Sequence, residues 1–121
     1  MTFRILVVDD NDINLLLITK ILELEGFTVV SARSGIEAIQ IVTQNPPDLA
    51  ILDVMMPDMN GYELCNKLRQ PPLSTSFPIV MLTAMNSEIE KAQAQAVGAN
   101  DIWSKPFDMD LFRQRIRTLL G

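Results

Sequence analysis

The sequence predicts an α/β fold, an open parallel sheet covered by helices on both faces. Three observations predict it. Short continuous apolar runs, Ile5-Leu6-Val7-Val8, Leu49-Ala50-Ile51-Leu52 and Ile79-Val80-Met81-Leu82, recur along the chain, and runs without polar alternation suit strands buried on both sides. Strand-like and helix-like signals alternate five times across the 121 residues, the pattern of α/β proteins. No repeat, linker or low-complexity segment interrupts them, so residues 1–121 are expected to form one domain.

The first run ends in Asp9-Asp10 and opens a helix whose residues Leu17, Ile18, Ile21 and Leu22 are expected to form the core stripe, leaving Ile13, Leu15, Leu16 and Leu24 as apolar surplus. Gly26 suits the left-handed residue after that helix. Ser34 with Glu37 reads as a capping box for the second helix. Asp53 follows the next strand, and Asn60 with Glu63 is a looser box for the third helix. A loop, Gln70-Pro71-Pro72-Leu73-Ser74-Thr75-Ser76, precedes the fourth strand, which ends in Thr83. Ser87 with Glu90 opens the fourth helix and Gly98 closes it. The short run Ile102-Trp103 leads to Lys105-Pro106, and Asp108 caps a last helix whose Leu111, Phe112, Ile116, Leu119 and Leu120 are expected on one face.

Composition excludes several function classes. Fifteen acidic against ten basic residues give a net charge of −5, and no helix carries a Lys/Arg cluster, so direct nucleic-acid binding is not expected. The absence of histidine excludes His-based catalysis and a role as a phosphohistidine carrier. One cysteine, Cys65, permits no internal disulfide, no apolar stretch approaches membrane-spanning length, and the N-terminus enters a strand without a signal-peptide pattern. A cytoplasmic protein without membrane partners is expected.

Parallel strands joined by right-handed crossovers put all their C-terminal ends on one edge, where ligands bind in such sheets. Asp9, Asp10, Asp53, Thr83 and Lys105 would therefore share a crevice. Taken singly, the acidic pair reads as a helix N-terminal charge pair, Thr83 as a cap and Lys105 as a solvated cation. Together they offer an aspartate nucleophile, carboxylates for an octahedral oxygen-loving cation, a compact ammonium and a hydroxyl donor. That is the equipment for phosphoryl transfer.

These residues resemble the receiver domains of two-component response regulators over essentially the full length. Asp9-Asp10 is similar to the family's acidic pair and Asp53 to its phosphoacceptor. Met55 falls where a backbone carbonyl ligates magnesium, Pro57 and Gly61 match the following loop, Thr83-Ala84 matches the hydroxyl and small residue, and Lys105-Pro106-Phe107 matches the lysine-proline element. The resemblance implies a flavodoxin-like, doubly wound sheet of five parallel strands in the order 2-1-3-4-5 with five helices. It implies Mg2+ held by Asp9, Asp10, Asp53 and Met55, and catalytic roles for Asp53, Thr83, Ala84 and Lys105. The implied partners are a histidine kinase or histidine phosphotransfer protein and a downstream protein target, in a phosphorelay where the domain catalyses only its own phosphorylation and dephosphorylation. It further implies a cis bond at Lys105-Pro106. The family's switch aromatic is replaced by Ile102, and Trp103, one place on, is expected to pack toward the last helix.

Three rivals remain. An aspartate-nucleophile phosphatase of the haloacid dehalogenase type needs a second acid where Met55 stands. A flavodoxin needs a glycine- and hydroxyl-rich phosphate loop where this chain has Asp9-Asp10-Asn11-Asp12. A degenerate receiver serving only as an interaction module is opposed by the complete set Asp10, Asp53, Thr83 and Lys105. Asn11 and Asn14 resemble receivers attached to hybrid kinases, so the chain is read as a stand-alone receiver or as one excised from a longer protein.

Overall fold

A computed structural model describes residues 2–84, 87–105 and 108–121. The elements run β1 (Arg4–Val8), α1 (Asp12–Leu24), β2 (Thr28–Ala32), α2 (Gly35–Gln44), β3 (Leu49–Asp53), α3 (Gly61–Arg69), β4 (Ile79–Thr83), α4 (Glu88–Ala96), β5 (Asp101–Ser104) and α5 (Met109–Leu120). All strand pairs are parallel and the sheet order is β2-β1-β3-β4-β5. The predicted fold class is the observed one. The cis bond expected at Lys105-Pro106 lies outside the described residues.

Alternation along the buried strands divides the core. Ile5, Val7, Leu49, Ile51, Val80, Leu82 and Trp103 meet Leu15, Ile18 and Leu22 of α1 and Phe112 and Ile116 of α5. Leu6, Val8, Ala50, Leu52 and Ile79 face the other way, against Ala38 and Val42 of α2 and Leu64, Cys65 and Leu68 of α3. Under α4 lies a third and smaller group, Val54, Met81, Ala94 and Ile102. Trp103 packs edge-on to Phe112 with ring centroids 5.6 Å apart, so β5 sends its indole to α5 and Ile102 to α4, as its alternation requires.

Helix ends follow local chemistry. The Asn60–Glu63 capping box is complete, with both reciprocal bonds formed. The Ser34, Ser87 and Asp108 side chains each accept the N–H three residues on. Asn11, which carried no structural role in the sequence reading, caps α1 by accepting from the Asn14 N–H at 3.0 Å. Gly26 and Gly98 have φ of +89° and +90°, the left-handed region glycine tolerates without strain.

Two core expectations are corrected. Leu15 is 6% exposed and belongs to the α1 core stripe, whereas Leu17 is 50% exposed. At about 100° per residue, Leu15, Ile18, Ile21 and Leu22 share one side while Leu17 points with Ile13 and Leu24. Leu111 of α5 is 43% exposed, because it lies about 100° around the helix from Phe112.

Candidate functional site

Each site residue is placed by the end of a strand. Asp9 continues the β1–β2 ladder, its N–H donating to Ala32 O at 3.1 Å. Asp53 is the last residue of β3, and Val54 immediately after it donates to Leu82 O at 2.9 Å. Thr83 ends β4, and the Lys105 N–H donates to Thr83 O at 2.7 Å, which carries the β4–β5 pairing one residue beyond the strand. Ladder hydrogen bonds thus fix all four backbones before any side chain interacts.

The side chains converge. One carboxylate oxygen from each of Asp9, Asp10 and Asp53 lies within 4.8 Å of the others. Asp9 and Asp53 are buried and Asp10 is exposed, giving the cluster a solvent opening. Lys105 Nζ lies 3.0 Å from Asp53 Oδ1 and 3.5 Å from Asp9 Oδ2. Asp9 Oδ1 accepts the Asn11 N–H at 2.9 Å, while the buried Asp9 Oδ2 accepts no hydrogen bond from the described residues. Burial raises the Asp53 pKa above its ordinary value; the Lys105 hydrogen bond opposes this, Asp9 adds to it, and the Met55 N–H opposes it. Charge that burial and mutual repulsion disfavour is charge a cation would welcome. The unsatisfied Asp9 Oδ2 and the three converging carboxylates therefore suit a hard divalent ion such as Mg2+.

Other expected positions contribute less. The Met55 side chain is 74% exposed, so only its backbone reaches the site. Ala84 is exposed at the bend after β4. Gly61 sits so close under β3 that an added Cβ would lie 2.5 Å from Asp53 O, and its N–H donates to Val54 O at 2.8 Å.

Two residues near the site escaped the sequence reading. Asp58 accepts the Gly35 and Ile36 N–H groups, both at 3.2 Å, tying the loop after β3 to the start of α2. Desolvation works against its charge, but these bonds and those from the Met59 and Asp58 N–H groups outweigh it and lower the pKa. Glu90 accepts the Thr83 hydroxyl at 2.5 Å and the Tyr62 hydroxyl at 3.4 Å. No local signal marked Asp58, whose partners lie 23 and 22 residues away in sequence, and Glu90 was visible only as a capping residue.

Comparison with known proteins decides the family. The response regulator receiver domain model matches residues 5–117. The chain belongs to that family. The alkaline phosphatase synthesis transcriptional regulatory protein PhoP of Bacillus subtilis is 40% identical over 99% of this chain and 49% of its own length. The response regulator PleD of Caulobacter vibrioides is 37% identical over 98% of this chain and 26% of its own. This receiver domain therefore spans about half or less of the curated relatives it matches. A crystallised two-component response regulator from Clostridium difficile superposes with a TM-score of 0.92 at 28% identity, covering 98% of this chain and 96% of that one. No helix among the described residues is long and apolar enough to cross a membrane.

Proposed function

We propose that residues 1–121 form a single receiver domain whose Asp53 accepts a phosphoryl group from the phosphohistidine of a histidine kinase or histidine phosphotransfer protein. The observation that carries this reading is the buried Asp53 carboxylate with Lys105 Nζ at 3.0 Å and two further carboxylates within 4.8 Å. An Asp53 oxygen attacks phosphorus, the phosphorus–nitrogen bond to imidazole breaks, and its electron pair leaves with the ring. Lys105, now paired with Asp53, transfers its charge to the phosphoryl oxygens. Thr83 donates its hydroxyl to another of them, and the Ala84 bend leaves room beside it. Asp9, Asp10, Asp53 and the Met55 carbonyl would hold Mg2+, which when bound neutralises charge on the transferring group. Water later hydrolyses the acyl phosphate, so the domain acts only on itself and is not a turnover enzyme. Its output is a changed surface read by a downstream protein in the cytoplasm, without direct contact to nucleic acid or membrane.

The test is incubation with magnesium and acetyl phosphate followed by intact-mass measurement. One phosphoryl adduct is expected on the parent and none on Asp53→Asn. No adduct on the parent would leave a degenerate interaction module as the better reading; an unchanged adduct on the variant would move the phosphoacceptor elsewhere.

A further inference from the structure

We propose that Glu90 is a positioning residue for the switch: its carboxylate holds the Thr83 proton in the resting protein and competes for it with the incoming phosphoryl group. The proposal rests on the phosphoacceptor reading and identifies what restrains that site. A threonine hydroxyl has a single proton, and a carboxylate can only accept, so the 2.5 Å contact has Thr83 donating to Glu90 Oε2. That length falls at the short end for charge-assisted bonds. Thr83 is 4% exposed, so water cannot easily replace the bond. While it persists, the proton is committed to α4.

The carboxylate is held in place from several sides. Glu90 lies in the first turn of α4, where its own N–H is fixed by the Ser87 hydroxyl at 3.2 Å. The Tyr62 hydroxyl of α3 reaches the same Oε2 at 3.4 Å. The Tyr62 phenol pKa is raised, by burial first and by the neighbouring Glu90 charge second. By contrast, α4 has little other hold on the sheet: among Glu88–Ala96 only Ala94 is buried, and Ile89 is 74% exposed. A helix with so little buried apolar surface has low local stability. Redirecting the Thr83 hydroxyl hydrogen bond from Glu90 to a phosphoryl oxygen would therefore free the first turn of α4 from this polar tether, coupling chemistry at Asp53 to this helix.

The experiment titrates the full chain with beryllofluoride in millimolar magnesium, followed by fluorine NMR of the bound complex. Glu90→Ala and Glu90→Gln are expected to lower the midpoint roughly five- to tenfold, a part of what a charge-assisted bond is worth. In a Thr83→Ala background, Glu90→Ala should produce no such gain, because the competed proton is gone. A metal-free readout is the alkaline titration of Tyr62, the single tyrosine of the chain: Glu90→Gln should lower its phenol pKa. An unchanged midpoint in both single variants, the same gain with Thr83 absent, or an unmoved Tyr62 would each overturn the proposal while leaving acetyl-phosphate labelling of Asp53 intact. A parent that neither binds beryllofluoride nor labels would instead overturn the phosphoacceptor reading, and this proposal with it.

Discussion

Replacing Gly61 by alanine puts a methyl group where the backbone of β3 already is. The added Cβ would stand 2.5 Å from Asp53 O, 2.8 Å from Met81 Cε and 3.0 Å from Val54 Cα. The methionine methyl can swing away, but the other two atoms belong to the strand end that carries Asp53. Restoring ordinary contact at 3.4 Å requires a shift of about 0.9 Å (3.4 − 2.5) between α3 and β3. Val54 O meanwhile accepts the Gly61 N–H at 2.8 Å and resists that separation. Overpacking of this kind costs about 3 kcal/mol, equivalent in a domain of this size to roughly 10 °C in Tm. The same displacement moves Asp53, and misplacement by about 1 Å can slow a reaction roughly a hundredfold, so acetyl-phosphate labelling should slow by between about ten- and a hundredfold. Gly35→Ala is the control: the three atoms nearest its new Cβ all belong to the flexible Met59 side chain. That variant should stay within about 1 kcal/mol of the parent, since the helix-propensity gain of alanine offsets the rearrangement. Thermal melts of both variants decide the matter. A Gly61→Ala protein melting within a degree or two of the parent, or a Gly35→Ala loss of equal size, would refute the backbone-clash reasoning.

The raised Asp53 pKa gives folding a preference for its protonated form, so the stability linked to this group is present below pH 3.8 and declines as pH rises through the higher folded-state value. Without divalent ions, Asp53→Asn should therefore melt above the parent at neutral pH and lose that advantage in acid; a variant less stable than the parent at neutral pH would contradict this. Magnesium should raise the parent Tm in a saturating manner and should do so much less for Asp10→Asn; a flat response of the parent would show that the carboxylates do not bind the ion. On α1, Ile13, Leu16 and Leu17 form an exposed apolar patch beside the site, at 77%, 61% and 50% exposure. Leu16→Asp should slow phosphoryl transfer from a histidine kinase at least about tenfold, as loss of an interface anchor does, while leaving acetyl-phosphate labelling unchanged; Leu15→Asp, which buries a charge in the core, should unfold the domain, and equal loss of both activities in Leu16→Asp would point to misfolding there too.

Asp9, Asp53 and Thr83 were legible because each directly follows an apolar run, and Asp10 and Lys105 because each lies one residue further on. A parallel sheet sends the ends of those runs to one edge, so Asp9, Asp10, Asp53, Thr83 and Lys105 could be brought together without knowing any helix orientation. The missed features depend on what the strand pattern does not carry. In α1 the stretch Leu15-Leu16-Leu17-Ile18 is apolar at every position, so periodicity cannot choose between Leu15 and Leu17; packing against Phe112 and Ile116 of α5 makes the choice. The bond from Thr83 to Glu90 depends on how α4 lies against β4. The Ser87–Glu90 spacing suggested that the glutamate would turn back on its own cap, but half of that box forms and the carboxylate goes to Thr83 instead. Asp58 reaches α2 across 23 residues of sequence, a contact no local pattern encodes.

Unequal filling of the sheet's two faces determines where a switch can be built. Phe112 and Ile116 anchor α5 with two fully buried large side chains, worth about 1.5–3 kcal/mol each, and Arg113 and Arg117 tie the same helix to Glu25 at 3.1 and 2.6 Å. Burial of Ala94 anchors α4 with one methyl group, worth about 0.8 kcal/mol. A hydrogen-bond change at the candidate site is worth about 1–3 kcal/mol. That is too little to dislodge α5 and comparable to everything α4 buries. The Ile102 and Trp103 order reinforces this asymmetry: the indole adds its area to the α5 side, against Phe112 at 5.6 Å, and leaves a smaller aliphatic side chain under α4. An aromatic swing at position 102 is not available to this chain, and the proposed polar link from Thr83 through Glu90 is a connection by which a phosphoryl group on Asp53 would reach the loosely held helix.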